Sequence, residues 1–137
     1  MPLIRESLAE GKTVRFSPSG ISMLPMLRQG KDSVLLSAVP EKLNKYDLPL
    51  YRRADGKYVL HRIVKAGDTY ACMGDNQLSE ETGLEHEQMV ALVTGFYRGN
   101  RYHSVNGPFY WLYCRVWYFA RRVYRACRRI LRRCFKR

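Results

Sequence analysis

The chain holds 137 residues, 46% of them hydrophobic and 26% charged, which suits one globular domain and excludes a disordered polyelectrolyte. Its net charge of +12 is lopsided: residues 1–114 carry 14 basic against 12 acidic side chains, whereas residues 115–137 carry ten basic and none acidic. No apolar run approaches the roughly 20 residues that span a bilayer, and Arg5, Glu6 and Glu10 stand where a signal peptide needs its apolar core, so neither an anchor nor an export signal is expected.

In chain order, residues 3–10 suit a short helix stopped by Gly11. Residues 12–17 then alternate polar and apolar as a strand does, and a turn introduced by Gly20 leads to a second strand over 32–39. Pro40 breaks the pattern. Two strands over 46–53 and 57–64 follow, joined by Ala54-Asp55-Gly56, a tight-turn signal. Another turn leads into a strand over 69–73, which ends at Gly74-Asp75-Asn76. The polar stretch 79–88 is expected as a loop, 89–99 as a long strand, and 101–105 as its return after Gly99-Asn100. The expectation is a mainly β body over residues 1–106, with six or seven short antiparallel strands.

Gly107-Pro108 marks a change of period. Val116, Ala120, Val123, Cys127, Ile130 and Cys134 recur at three- and four-residue spacing, with Arg122, Arg125, Arg129, Arg132 and Arg133 on the other side. Residues 107–137 therefore read as a basic, aromatic amphipathic helix. Trp111 and Trp117 beside Arg122, Arg125 and Arg129 suit contact with an anionic membrane surface, each basic residue contributing about 1 kcal/mol there. Phosphate binding on a nucleic acid and simple packing on the body are the competing readings. The four cysteines form no C-x-x-C pair, so no metal site, dithiol motif or cofactor is expected.

Three stretches carry chemistry together. Gly20-Ile21-Ser22-Met23-Leu24-Pro25 sets a hydroxyl on a sharp turn among apolar neighbours, His61 ends the apolar run Tyr58-Val59-Leu60, and Gly74-Asp75-Asn76 ends the next strand. Serine needs a neighbouring base to act as a nucleophile, histidine titrates near neutral pH, and a carboxylate can orient the imidazole. Backbone N–H groups around Gly20 and Ser22 can hold a developing oxyanion, and Met23, Leu24 and Pro25 can line a substrate groove.

This order of motifs resembles the type I signal peptidases and their LexA-like relatives, over roughly residues 12–98. It is most similar to the Ser–His branch found in the endoplasmic reticulum and in some Gram-positive bacteria. The resemblance implies a β protease fold of conjoined antiparallel sheets, with Ser22 at the nucleophile and His61 at the general base. The branch's acid, about six residues beyond the Gly-Asp-Asn aspartate, falls at Glu81, with Asp75 the rival for orienting His61. Two positions depart from the pattern: Gly20 replaces a serine that many members use in the oxyanion hole, and Tyr46-Asp47 stands where Gly-Asp is usual. The expected function is a serine endopeptidase cutting leader or signal-like segments, cytoplasmic or peripheral on the inner membrane face. A self-cleaving LexA-like regulator and a catalytically weak membrane- or nucleic-acid-binding module are the alternatives; Lys57 and Lys65 flank His61 without matching the lysine the former uses.

Overall fold

The computed structural model describes residues 2–135. Helix α1 (Pro2–Ala9) precedes β1 (Val14–Phe16), β2 (Asp32–Ser37), β3 (Pro49–Arg52), β4 (Tyr58–Leu60), β5 (Arg62–Ala66), β6 (Tyr70–Met73) and β7 (Glu81–Leu84). A single turn of 3-10 helix (His86–Gln88) then leads to β8 (Met89–Arg98), β9 (Arg101–Ser104) and the long helix α2 (Pro108–Phe135). Every strand pairing is antiparallel. The protein is mainly β, with two sheets and a C-terminal helix.

Strand β8 is the spine of the larger sheet, whose order is β1-β2-β8-β3-β4. Its ten residues alternate: Met89, Ala91 and Val93 are buried while Val90, Leu92 and Thr94 are half-buried, the period of two that a strand imposes. Because β8 is so long, β2 covers one edge while β3 and β9 share the other. The smaller sheet is β5-β6-β7. Leu36, Leu48, Leu50, Ala91 and Val93 fill the main core with Met23, Met26 and Leu27 from the loop before β2. Tyr51, Ile63, Cys72 and Met89 form a second cluster.

Two sequence expectations fail here for physical reasons. Residues 57–64 are not one strand. The chain changes sheet at His61: Leu60 pairs with Leu50 in the large sheet, and Arg62 pairs with Met73 in the small one. Leu60 and Ile63 are both buried, but in different cores, and a run of apolar residues does not reveal which core each fills. Residues 81–84 are strand, not loop. This strand ends the small sheet with only Leu84 buried, so its composition stays polar.

Helix α2 starts at Pro108, a residue that fits the first helical turn. Tyr118 joins Val64, Ala71 and Met73 in a third cluster, so the front of α2 shares a core with β5 and β6. No helix among the described residues is long and apolar enough to cross a membrane.

Candidate functional site

The Ser22 loop is fixed from two directions. Gly20 adopts φ +88°, the left-handed region that costs other residues dear, and nothing lies within 4 Å of where a Cβ would stand, so the requirement there is backbone geometry. Met23 and Leu27, joined by a Leu27 N–H to Met23 carbonyl bond of 2.9 Å, anchor the loop in the main core. From the other side comes Gly74-Asp75-Asn76. The Asn76 N–H donates to the Ser22 carbonyl at 2.8 Å, and Asn76 Nδ2 donates to the Ile21 carbonyl at 3.2 Å. A Cβ on Gly74 would stand 2.6 Å from the Ser22 carbonyl oxygen, closer than atoms approach, so only glycine lets the two segments meet. Among the described residues no hydrogen bond takes up the Ser22 N–H.

Ser22 and His61 line one groove of about 390 Å³. Its walls include Phe16 from β1 and Tyr58, Val59 and Leu60 from β4, the two strands that end the large sheet. Among the described residues no hydrogen bond joins the Ser22 hydroxyl to His61, although such bonds often tighten only when substrate binds.

His61 sits where the chain passes between sheets and is 4% exposed. Its Nδ1 lies 3.3 Å from the Tyr51 hydroxyl, which donates to Glu81 Oε2 at 3.1 Å. Burial above all, then Cys72 and Glu81, pushes the Tyr51 hydroxyl up, so it keeps its proton and donates it to Glu81. Its oxygen is then left to accept from Nδ1–H of His61. That assigns the His61 tautomer and leaves Nε2 as the basic nitrogen. Burial, and next the Arg53 guanidinium, pulls the imidazole down to about 4 against the opposing influence of Glu81 and Asp75. Arg53 also holds Glu81, Nε to Oε1 at 2.5 Å.

Asp75 does not orient His61. Its carboxylate is wholly buried and taken up by Arg62, with Nε to Oδ1 at 2.9 Å and a second nitrogen to Oδ2 at 3.1 Å. Tyr113 donates to Oδ2 at 2.8 Å and Tyr118 to Oδ1 at 2.6 Å. Two charges removed from water need all these partners, which leaves none for the imidazole. Of the two expected acids, Glu81 is the one linked to His61, and the link runs through Tyr51. Tyr51 and Arg53 escape sequence reasoning because a tyrosine and an arginine in a strand are ordinary. The β3–β4 pairing, which sets Tyr51 across from Val59, and the change of sheet at His61 bring them to the histidine.

Of the three expected groove residues, Met23 lines the Ser22 groove while Leu24 does not. Pro25 faces a different cavity, with Met26, Phe96 and Tyr110, because the loop turns over between the two. On α2, Trp117 is corrected as an outward contact: its Nε1 donates to the Asp75 carbonyl at 2.8 Å, so it serves internal packing. Trp111 and Arg122 are exposed, as is Arg129, while Arg125 is half-buried with Glu80 3.8 Å away.

Comparison with protein families, curated proteins and solved structures finds no match to this chain. Fold and site together define a mainly β protein with a Ser–His groove along the large sheet and a buried ion pair beneath its C-terminal helix.

Proposed function

We propose that the protein is a serine endopeptidase working through Ser22 and His61. The observation that carries this reading is that a serine on a glycine-enforced turn and a histidine with an assigned, neutral tautomer share one groove. His61 Nε2 takes the Ser22 proton as Oγ attacks the scissile carbonyl, and the N–H groups of the Gly20–Ser22 turn hold the oxyanion. The imidazolium that forms is stabilised through Tyr51 by the Glu81 carboxylate. His61 then protonates the leaving amine, and water releases the acyl-enzyme. With its imidazole neutral down to about pH 4, His61 is in the base form throughout the neutral range.

An extended peptide suits the groove, since end strands β1 and β4 can offer main-chain hydrogen bonds to it. The motif order that resembles type I signal peptidases points to leader or signal-like segments, cut from the cytoplasm or the inner membrane face.

A phosphonylating serine probe followed by intact-mass analysis tests this. A single adduct on Ser22, abolished in Ser22→Ala and slowed at least about a thousandfold in His61→Ala, is expected. Absence of an adduct on folded protein overturns the reading. It would favour a second one, a groove that binds extended peptides along the end strands β1 and β4 without cutting them.

A further inference from the structure

Helix α2 has an outward face that the fold does not use. Tyr110, Cys114 and Tyr118 turn toward the body, whereas Phe109, Leu112, Val116, Phe119, Val123 and Ile130 are 87, 51, 57, 68, 47 and 61% exposed. Their spacing of three, four, three, four and seven places them along one line. From Phe109 to Ile130 on this 28-residue helix that line runs about 32 Å. The same helix carries eight arginines and no carboxylate. Beyond Arg125 every described residue is exposed, so the line continues past the body.

Beside the line lies a basic cleft of about 550 Å³ between α2 and the small sheet. Lys45, Lys65, Arg115, Arg121, Arg122 and Arg125 line it against one carboxylate, Glu80. Among the described residues no hydrogen-bond partner meets the buried Arg121 Nε there. Phe119 lines the same cleft, so the cationic cleft opens onto the apolar line.

Hydrocarbon and phosphate must therefore be met side by side over tens of ångströms. A nucleic acid supplies phosphates but leaves the apolar line in water. A second copy of this chain covers the line but sets eight arginines against eight. An anionic bilayer supplies both. We propose that α2 docks the protein on an anionic phospholipid surface, its apolar line at the headgroup–acyl boundary and lipid phosphates in the Lys45–Lys65–Arg122 cleft. The proposal stands independently of any catalysis by Ser22.

The test is co-sedimentation of the full chain with phosphatidylcholine vesicles, with and without phosphatidylglycerol. Binding is expected only with phosphatidylglycerol, weakening as salt rises. The triple variant Arg122→Gln, Arg129→Gln, Arg133→Gln is expected to lose about fivefold per arginine, roughly a hundredfold in all. All three side chains are exposed, so this variant is expected to fold. The pair Val116→Glu and Phe119→Glu is expected to abolish quenching of Trp111 by brominated lipid. Unchanged vesicle binding and quenching in that pair overturns the proposal. So does tighter binding to polyuridine than to vesicles, or a dimer in solution that the pair dissolves while the wild type ignores vesicles.

Discussion

Gly74 shows how far one hydrogen atom can govern a site. Its missing side chain lets β6 end against the carbonyl of Ser22, 2.6 Å from where a methyl group would sit, and that carbonyl is backbone with little room to yield. Gly74→Ala is expected to push the Ser22 loop outward, costing about 1–3 kcal/mol in urea denaturation and roughly a hundredfold in labelling of Ser22. Labelling at the wild-type rate would show that the Ser22 turn is set by Gly20 and its core anchors alone. Tyr46 gives the complementary case. Its φ is +75°, a backbone that glycine adopts freely and a tyrosine seldom does. Its N–H bonds the Ile63 carbonyl at 2.8 Å, and its ring packs 5.9 Å from that of Tyr118, so surrounding contacts hold the conformation in place of residue preference.

At the scale of elements, the Arg62–Asp75 pair is the pin between strands and helix. Arg62 opens β5 beside His61, and Asp75 follows β6 beside the residues that clamp Ser22. Helix α2 closes over both. Burial chiefly pushes the hydroxyls of Tyr113 and Tyr118 up, so they stay protonated and donate to Asp75. Such a pair gives little net stability, yet removing one partner strands the other charge in the core. Asp75→Ala is therefore expected to cost about 3–5 kcal/mol in urea denaturation, with hydrogen exchange in the first turns of α2 accelerating before the rest. Uniform acceleration across both sheets and the helix would show that α2 is held by its apolar contacts and not by the pair.

For the whole molecule the titration of His61 sets a pH dependence. The folded protein holds this imidazole near 4, below its ordinary value of 6.5, so in that window the unfolded chain binds the extra proton. Its contribution is fully present above about pH 6.5 and is lost as pH falls toward 4. The loss amounts to about 3 kcal/mol between pH 7 and pH 4. Urea melts at the two pH values should differ by about that much more in wild type than in His61→Gln. Equal differences would mean that His61 gains a proton as easily folded as unfolded. The acid limb of labelling at Ser22 should lie near pH 4 and move up in Arg53→Gln, which removes the cation that, after burial, does most to depress His61.

Periodicity and turn chemistry carried most of this architecture in the sequence itself. Alternation marked β1, apolar runs bounded by turn residues marked β2, β6 and β8, Gly56 marked the β3–β4 turn, and the three- and four-residue spacing after Pro108 marked α2. These are local signals, set by backbone geometry and by the one face each element buries. The motif order likewise brought Ser22, His61, Glu81 and Asp75 forward as candidates. What each of them touches depended on which strand lies beside which, and that is decided by packing across long separations in the chain. Only the change of sheet at His61, with β7 paired to β6 so that Glu81 lies across from Cys72, sets Tyr51 between His61 and Glu81. Only the descent of α2 onto β5 and β6 commits Asp75 to Arg62 and turns Trp117 inward while leaving the Phe109-to-Ile130 line bare. A sequence shows which side chains want burial or a partner; tertiary structure decides which partner is near enough to satisfy them.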